Sequence, residues 1–114
     1  MTLGTIYLKQ ANYPEAIKYF LSAINLNPDA RSYRLLGKAY YRLNDANKAI
    51  SCFQSAALYD LGGPDTATDY FNLALIYAKN NDKTNARRYM NILETMDHLT
   101  PEMFFLEKTI EQMP

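Results

Sequence analysis

The stretch Tyr33-Arg34-Leu35-Leu36-Gly37-Lys38-Ala39-Tyr40, with Ala49 and Phe53 after it, decides the fold. Tyr33, Leu36, Gly37 and Tyr40 follow the three-and-four spacing that gathers residues on one face of a helix. Ala49 and Phe53 do the same on a second helix beyond the turn-forming Asn44-Asp45. Working outward, the pattern recurs. Thirty-three residues earlier stand Leu3-Gly4, Tyr7, Ala16, Phe20 and Ala23, the last answering to Ala56, with Pro28 closing the copy. Thirty-seven residues later stand Tyr70, Leu73-Ala74, Tyr77, Ala86 and Met90. The longer second interval is taken up by Leu61-Gly62-Gly63-Pro64-Asp65, a run of strong turn formers.

Each copy divides into two helical stretches. The second helix of each opens with a capping residue, namely Asn12, Asp45 or Asp82. Pro14 suits a first helical turn, where a missing N–H does no harm. Asn44, Asn80 and Asn81 lie where a left-handed residue ends the preceding helix. Asn27-Pro28 and Gly62-Gly63-Pro64 stop the second helices of the first two copies. The spacing predicts helices near 2–10, 14–26, 30–43, 46–60, 66–79 and 83–96, and a last one near 101–112 opened by Thr100-Pro101. No segment alternates as a strand, so the chain reads as all-α. Gly4, Gly37 and Ala74, like Ala16, Ala49 and Ala86, are small where paired helices must approach closely.

Tyr33-x2-Leu36-Gly37-x2-Tyr40 followed by Ala49-x3-Phe53 resembles the tetratricopeptide repeat (TPR). The resemblance covers residues 1–97, and typed positions recur in register. The third copy departs with Ala74 for Gly and Met90 for Phe, and the second and third lack a closing Pro. The resemblance implies a right-handed α-solenoid of three helix–turn–helix repeats with a C-terminal capping helix. It implies a single domain over residues 1–114, with repeats about 1–29, 30–63 and 64–98 and the last helix about 100–113. The first copy lacks its leading aromatic, and an uncapped first helix would bare apolar surface, so the chain reads as a C-terminal piece of a longer array.

In a TPR stack the first helix of each repeat lines a concave groove. With Tyr33 set at zero on a helical wheel, Arg31, Arg34, Lys38, Tyr41 and Arg42 fall on the face that would look into it. Four cations without an acid on one face repel one another, and the expectation is a stripe for acidic side chains or a carboxylate. The matching residues are Phe71, Leu75 and Lys79 in the third copy and Thr5, Leu8 and Lys9 in the first. The implied ligand is a peptide segment with acidic and apolar residues. The carboxylate-clamp positions of chaperone-binding TPR domains fall on Met1, Thr5, Leu35, Thr68 and Asn72, and only Asn72 suits that ligand. On the last helix Met103, Leu106, Ile110 and Met113 form a packing seam. Phe104 and Phe105 lie outside it as a possible second contact or weak self-association surface.

Composition bounds the rest. About half of the 114 residues are hydrophobic and a fifth charged, as in folded domains, and no apolar run approaches the length of a membrane span. Residues 1–50 carry seven Lys/Arg against three Asp/Glu, and residues 51–114 five against nine. The ends therefore present opposite surfaces, and overall neutrality argues against nucleic acid. The lone Cys52 precludes an internal disulfide, and no catalytic or metal-binding spacing occurs; Asp65 and Asp69 read as charges at a helix N-terminus and His98 as a helix-end histidine. The expectation is a non-catalytic scaffold or adaptor without cofactor or metal. Alternatives are a chaperone or assembly factor of a bacterial secretion or pilus system, and nucleic-acid binding through the basic face of residues 31–42. No signal peptide is visible, which favours the cytoplasm, with the periplasm as the alternative if a longer parent chain carries one.

Overall fold

The structure is a computed structural model that describes residues 2–63, 65–96 and 100–114. Among the described residues the chain forms helices and no strand. The helices are α1 (Leu3–Lys9), α2 (Tyr13–Leu26), α3 (Ala30–Arg42), α4 (Ala46–Tyr59), α5 (Thr66–Lys79), α6 (Lys83–Glu94) and α7 (Pro101–Glu111), each boundary within two residues of its expected place. Met1, Pro64 and His98, which entered the readings above, lie outside the described residues.

Local chemistry sets the boundaries. The side chains of Asp29, Asp45 and Asp82 accept hydrogen bonds from the backbone N–H of Ser32 (2.7 Å), Lys48 (3.2 Å) and Asn85 (3.1 Å). Thr100 does the same for Met103 at 3.3 Å. These bonds satisfy donors that the first helical turn leaves without partners. Asn12 is a correction, because its side chain makes no capping bond.

The turns inside the copies are built alike. Ala11, Asn44 and Asn81 all adopt left-handed backbone, with φ of 58°, 61° and 60°. The next residue in each case donates its N–H back to a tyrosine carbonyl, Tyr7 at 2.9 Å, Tyr40 at 3.0 Å and Tyr77 at 2.9 Å. This is the closure that ends a helix in a left-handed residue. Asparagine tolerates it; alanine is strained there.

The chain divides into two compact units, residues 1–62 and 63–114. In the first, α1 to α4 pack each on the next, around Ala16, Phe20, Leu36 and Cys52. In the second, α5 pairs with α6, and α7 closes over them through Met103, Leu106 and Ile110, which join Ala74, Ala86, Met90 and Leu93 in the core.

The small residues of the repeat are matched to their opposite numbers. A Cβ on Gly4 would come within 2.7 Å of the Phe20 ring, and one on Gly37 within 3.1 Å of Phe53. In the third copy Ala74 stands at the glycine position and Met90 at the phenylalanine position, both wholly buried. The added methyl is accommodated where the flat rigid ring gives way to a flexible thioether. The two departures in that copy are therefore one exchange.

Candidate functional site

A cleft of about 520 Å³ runs between α5 and α7 in the second unit. Phe71, Leu75, Ala78 and Lys79 face it from α5; Pro101, Glu102, Phe105, Leu106 and Thr109 face it from α7. The first set recurs at four and three residues along α5, so one helical stripe supplies a whole wall. Phe71 and Leu75 are half-buried, with their inner edges packed on the core of the unit. Phe105 is 75% exposed. Lys79 and Glu102 place one charge of each sign among these apolar groups.

The wall formed by α7 is held from α6. Lys83 Nζ donates to the Met113 carbonyl at 2.9 Å, and Arg87 pairs with Glu111 at 3.6 Å. A hydrogen bond with Glu94 holds the Glu107 carboxyl above the ordinary carboxylate range, and partial loss of water adds to the effect.

The first unit presents a different surface. Arg31, Lys38 and Arg42 are exposed on α3, and Arg34 and Tyr41 are half-buried. Thr5 shares a hydroxyl hydrogen bond with Thr2 at 3.0 Å. Thr5 and Arg31 border a second cavity, of about 640 Å³, between α1, α2 and the start of α3. Lys9 is exposed, whereas Leu8 packs against the core around Phe20 and Leu36.

Of the residues singled out in the sequence, the structure brings Phe71, Leu75, Lys79 and Phe105 together. Phe104, 51% exposed, does not line that cleft. Sequence reasoning assigned Phe71 and Phe105 to separate contacts, because a wheel drawn for one helix cannot show which helix faces it. Glu102 and Thr109 escaped notice; their place beside Phe105 and Leu106 on the α7 wheel was the available signal. The cavity bordered by Thr5 also escaped notice.

Chemically reactive groups are quiet. Cys52 is buried in α4, and burial, with Asp45 nearby, pushes its thiol up to about 11, which suppresses the thiolate. Asp65 is exposed just ahead of α5, while Asp69 is buried in its first turn. Among the described residues no three His, Cys, Asp or Glu side chains gather as a metal site requires. Among the same residues no helix is long and apolar enough to cross a membrane.

Comparison with known proteins agrees with the repeat. A family model described as tetratricopeptide repeat matches residues 1–57, and a second of the same description matches residues 34–97. No curated protein matches the sequence.

Proposed function

The chain belongs to the tetratricopeptide repeat family, and from that premise we propose that it is a non-catalytic scaffold or adaptor that holds a segment of a partner protein in a groove. Repeats of this family generally mediate protein–protein interaction. The observation that carries the reading is the α5/α7 cleft, in which Phe71, Leu75 and Phe105 remain open to solvent in one place. Apolar groups gathered in a concavity mark a binding surface more strongly than single exposed side chains do. Full burial of an exposed ring such as Phe105 contributes about 1.5–3 kcal/mol, and the half-buried Phe71 contributes less.

The cations of α3 supply the second half of the reading. Arg31, Lys38 and Arg42 would steer an acidic segment into encounter, so they govern the association rate and its salt dependence more than the final affinity. The partner is a protein segment bearing apolar anchors and acidic residues. Lys79 and Glu102 would orient its charged ends at the cleft.

Capture from native extract with mass spectrometry tests this, using wild type, Phe71→Ser/Leu75→Ser and Arg31→Glu/Lys38→Glu. The apolar pair should lose the partner at every salt concentration. The charge reversal should weaken capture at low salt and matter less at high salt. Both variants should keep their helical circular dichroism. A partner retained by both variants at wild-type level would remove the groove reading.

A further inference from the structure

The α5/α7 cleft restricts the shape of what enters it. Both walls are helices, and along them the backbone N–H and C=O groups bond within the helix. The helix ends that border the cleft are closed as well. At the C-terminus of α5 the carbonyls of Ile76, Tyr77 and Ala78 accept from the N–H of Asn80 (3.1 Å), Asp82 (2.9 Å) and Asn81 (3.1 Å). At the N-terminus of α7 the Thr100 carbonyl accepts from Phe104 at 3.1 Å and its hydroxyl from Met103 at 3.3 Å. Pro101 has no N–H to offer. The hydroxyl that Thr109 brings to the lining donates to the Phe105 carbonyl at 3.0 Å.

An extended strand carries an N–H and a C=O at every residue that need partners outside the strand itself. Against these walls it would meet apolar side chains, with the Lys79 ammonium and the Glu102 carboxylate as the charged groups beside them. Each backbone group pressed there without a partner weakens binding. A helix arrives with its backbone already paired. The α5 stripe also has a helix's own spacing. Phe71, Leu75 and Ala78 stand four and three residues apart, about 10 Å from first to last at about 1.5 Å per residue. Apolar side chains at i, i+4 and i+7 of a second helix span the same distance. Ala78 is the short side chain of the stripe and leaves room for a large one, while Phe105, 75% exposed, stands on the other wall to be covered. Lys79 and Glu102 give the cleft one charge of each sign, so the complementary helix carries an acid and a base beside its apolar face.

Resting on the groove reading above, we propose that the α5/α7 cleft receives an amphipathic α-helix of a partner protein. Large apolar side chains at i, i+4 and i+7 of that helix seat on Phe71, Leu75, Ala78 and Phe105, with its acid toward Lys79 and its base toward Glu102.

Two phage-displayed peptide libraries, selected on the full chain, test the helical occupant separately from the groove. One fixes Leu or Phe at i, i+4 and i+7 in an alanine-rich frame, which favours helix. The other fixes the same residues at alternate positions in a frame of Thr and Val, which favours extended backbone. Counter-selection against Phe105→Ser retains the peptides that use the cleft. That side chain is largely exposed, so the variant should keep its helical circular dichroism. Phe105-dependent binders should come from the helical library and gain helical circular dichroism on binding. A proline placed in the middle of such a peptide should weaken it about tenfold or more, because it removes a helix N–H and clashes with the preceding turn. Phe105-dependent binders from the alternating library, alone or in equal measure, would overturn the helical occupant and leave the groove reading standing. So would helical-library binders indifferent to the proline. Two libraries that yield no Phe105-dependent binder would remove the groove reading together with the proposal.

Discussion

Replacing Gly37 by alanine tests whether the repeat is held by matched pairs or by small residues in general. The new Cβ would lie 3.1, 3.1 and 3.2 Å from three atoms of the Phe53 ring. Carbon atoms rest comfortably at about 3.5–4.0 Å, so the ring must retreat by several tenths of an ångström. It has little room, since Phe53 is 2% exposed. Overpacking of this kind costs about 1–3 kcal/mol. Alanine's better helix propensity offsets about 1 kcal/mol of that. The expected net loss is about 1 kcal/mol, or a fall of about 3–6 °C in the melting temperature followed by circular dichroism. Adding Phe53→Met copies the Ala74 and Met90 arrangement of the third copy. The double variant should then melt higher than the two single effects combined predict, by a coupling of about 1 kcal/mol or more. A Gly37→Ala protein that melts above wild type, or strict additivity in the double variant, would refute the reasoning.

Three further outcomes are expected. Ala11→Gly should stabilise the protein by about 0.5–1 kcal/mol, seen as a higher urea midpoint, because glycine carries no Cβ penalty at a left-handed position. Hydrogen bonds from the side chain and backbone of Asn85 hold the Asp82 carboxyl below its ordinary range. A folded-state pKa below the unfolded one gives stability that is present above the ordinary value and lost as pH falls through the folded one. Wild type should therefore lose melting temperature below about pH 4, and Asp82→Ala should start lower and lose less there. Cys52, with its thiol raised to about 11, should resist a thiol-reactive dye at pH 8 in the folded protein and react promptly in denaturant, where free thiols titrate near about 8.5.

Much of the fold was legible in the sequence because the signal is local and repeated. The spacing of Tyr33, Leu36, Gly37 and Tyr40 defines a helix face without knowledge of anything distant. The caps at Asp45 and Asp82 act within three residues of themselves. Less legible were features that depend on what lies across the gap. Phe71 and Phe105 are far apart in the chain, and only the packing of α7 places them on one cleft. Leu8, a groove residue on the wheel, is half-buried and packs on the core around Phe20 and Leu36, a contact that the wheel of α1 alone does not show. Ala11 escaped attention because alanine does not advertise left-handed backbone; its register with Asn44 and Asn81 was the available clue.

The order of helix contacts bears on how the chain comes off the ribosome. In the first unit each helix packs mainly on the one made just before or just after it, and the cluster of Ala16, Phe20, Leu36 and Cys52 lies wholly before Gly62. No segment of that unit has to wait for a distant partner, so loop closure costs little and folding can keep pace with elongation. The nascent chain can thus pack Phe20 against Ala16 and Leu36 while the residues after Gly62 are still being joined. The hazard of a sticky, half-made protein is confined to one repeat's length of chain at a time.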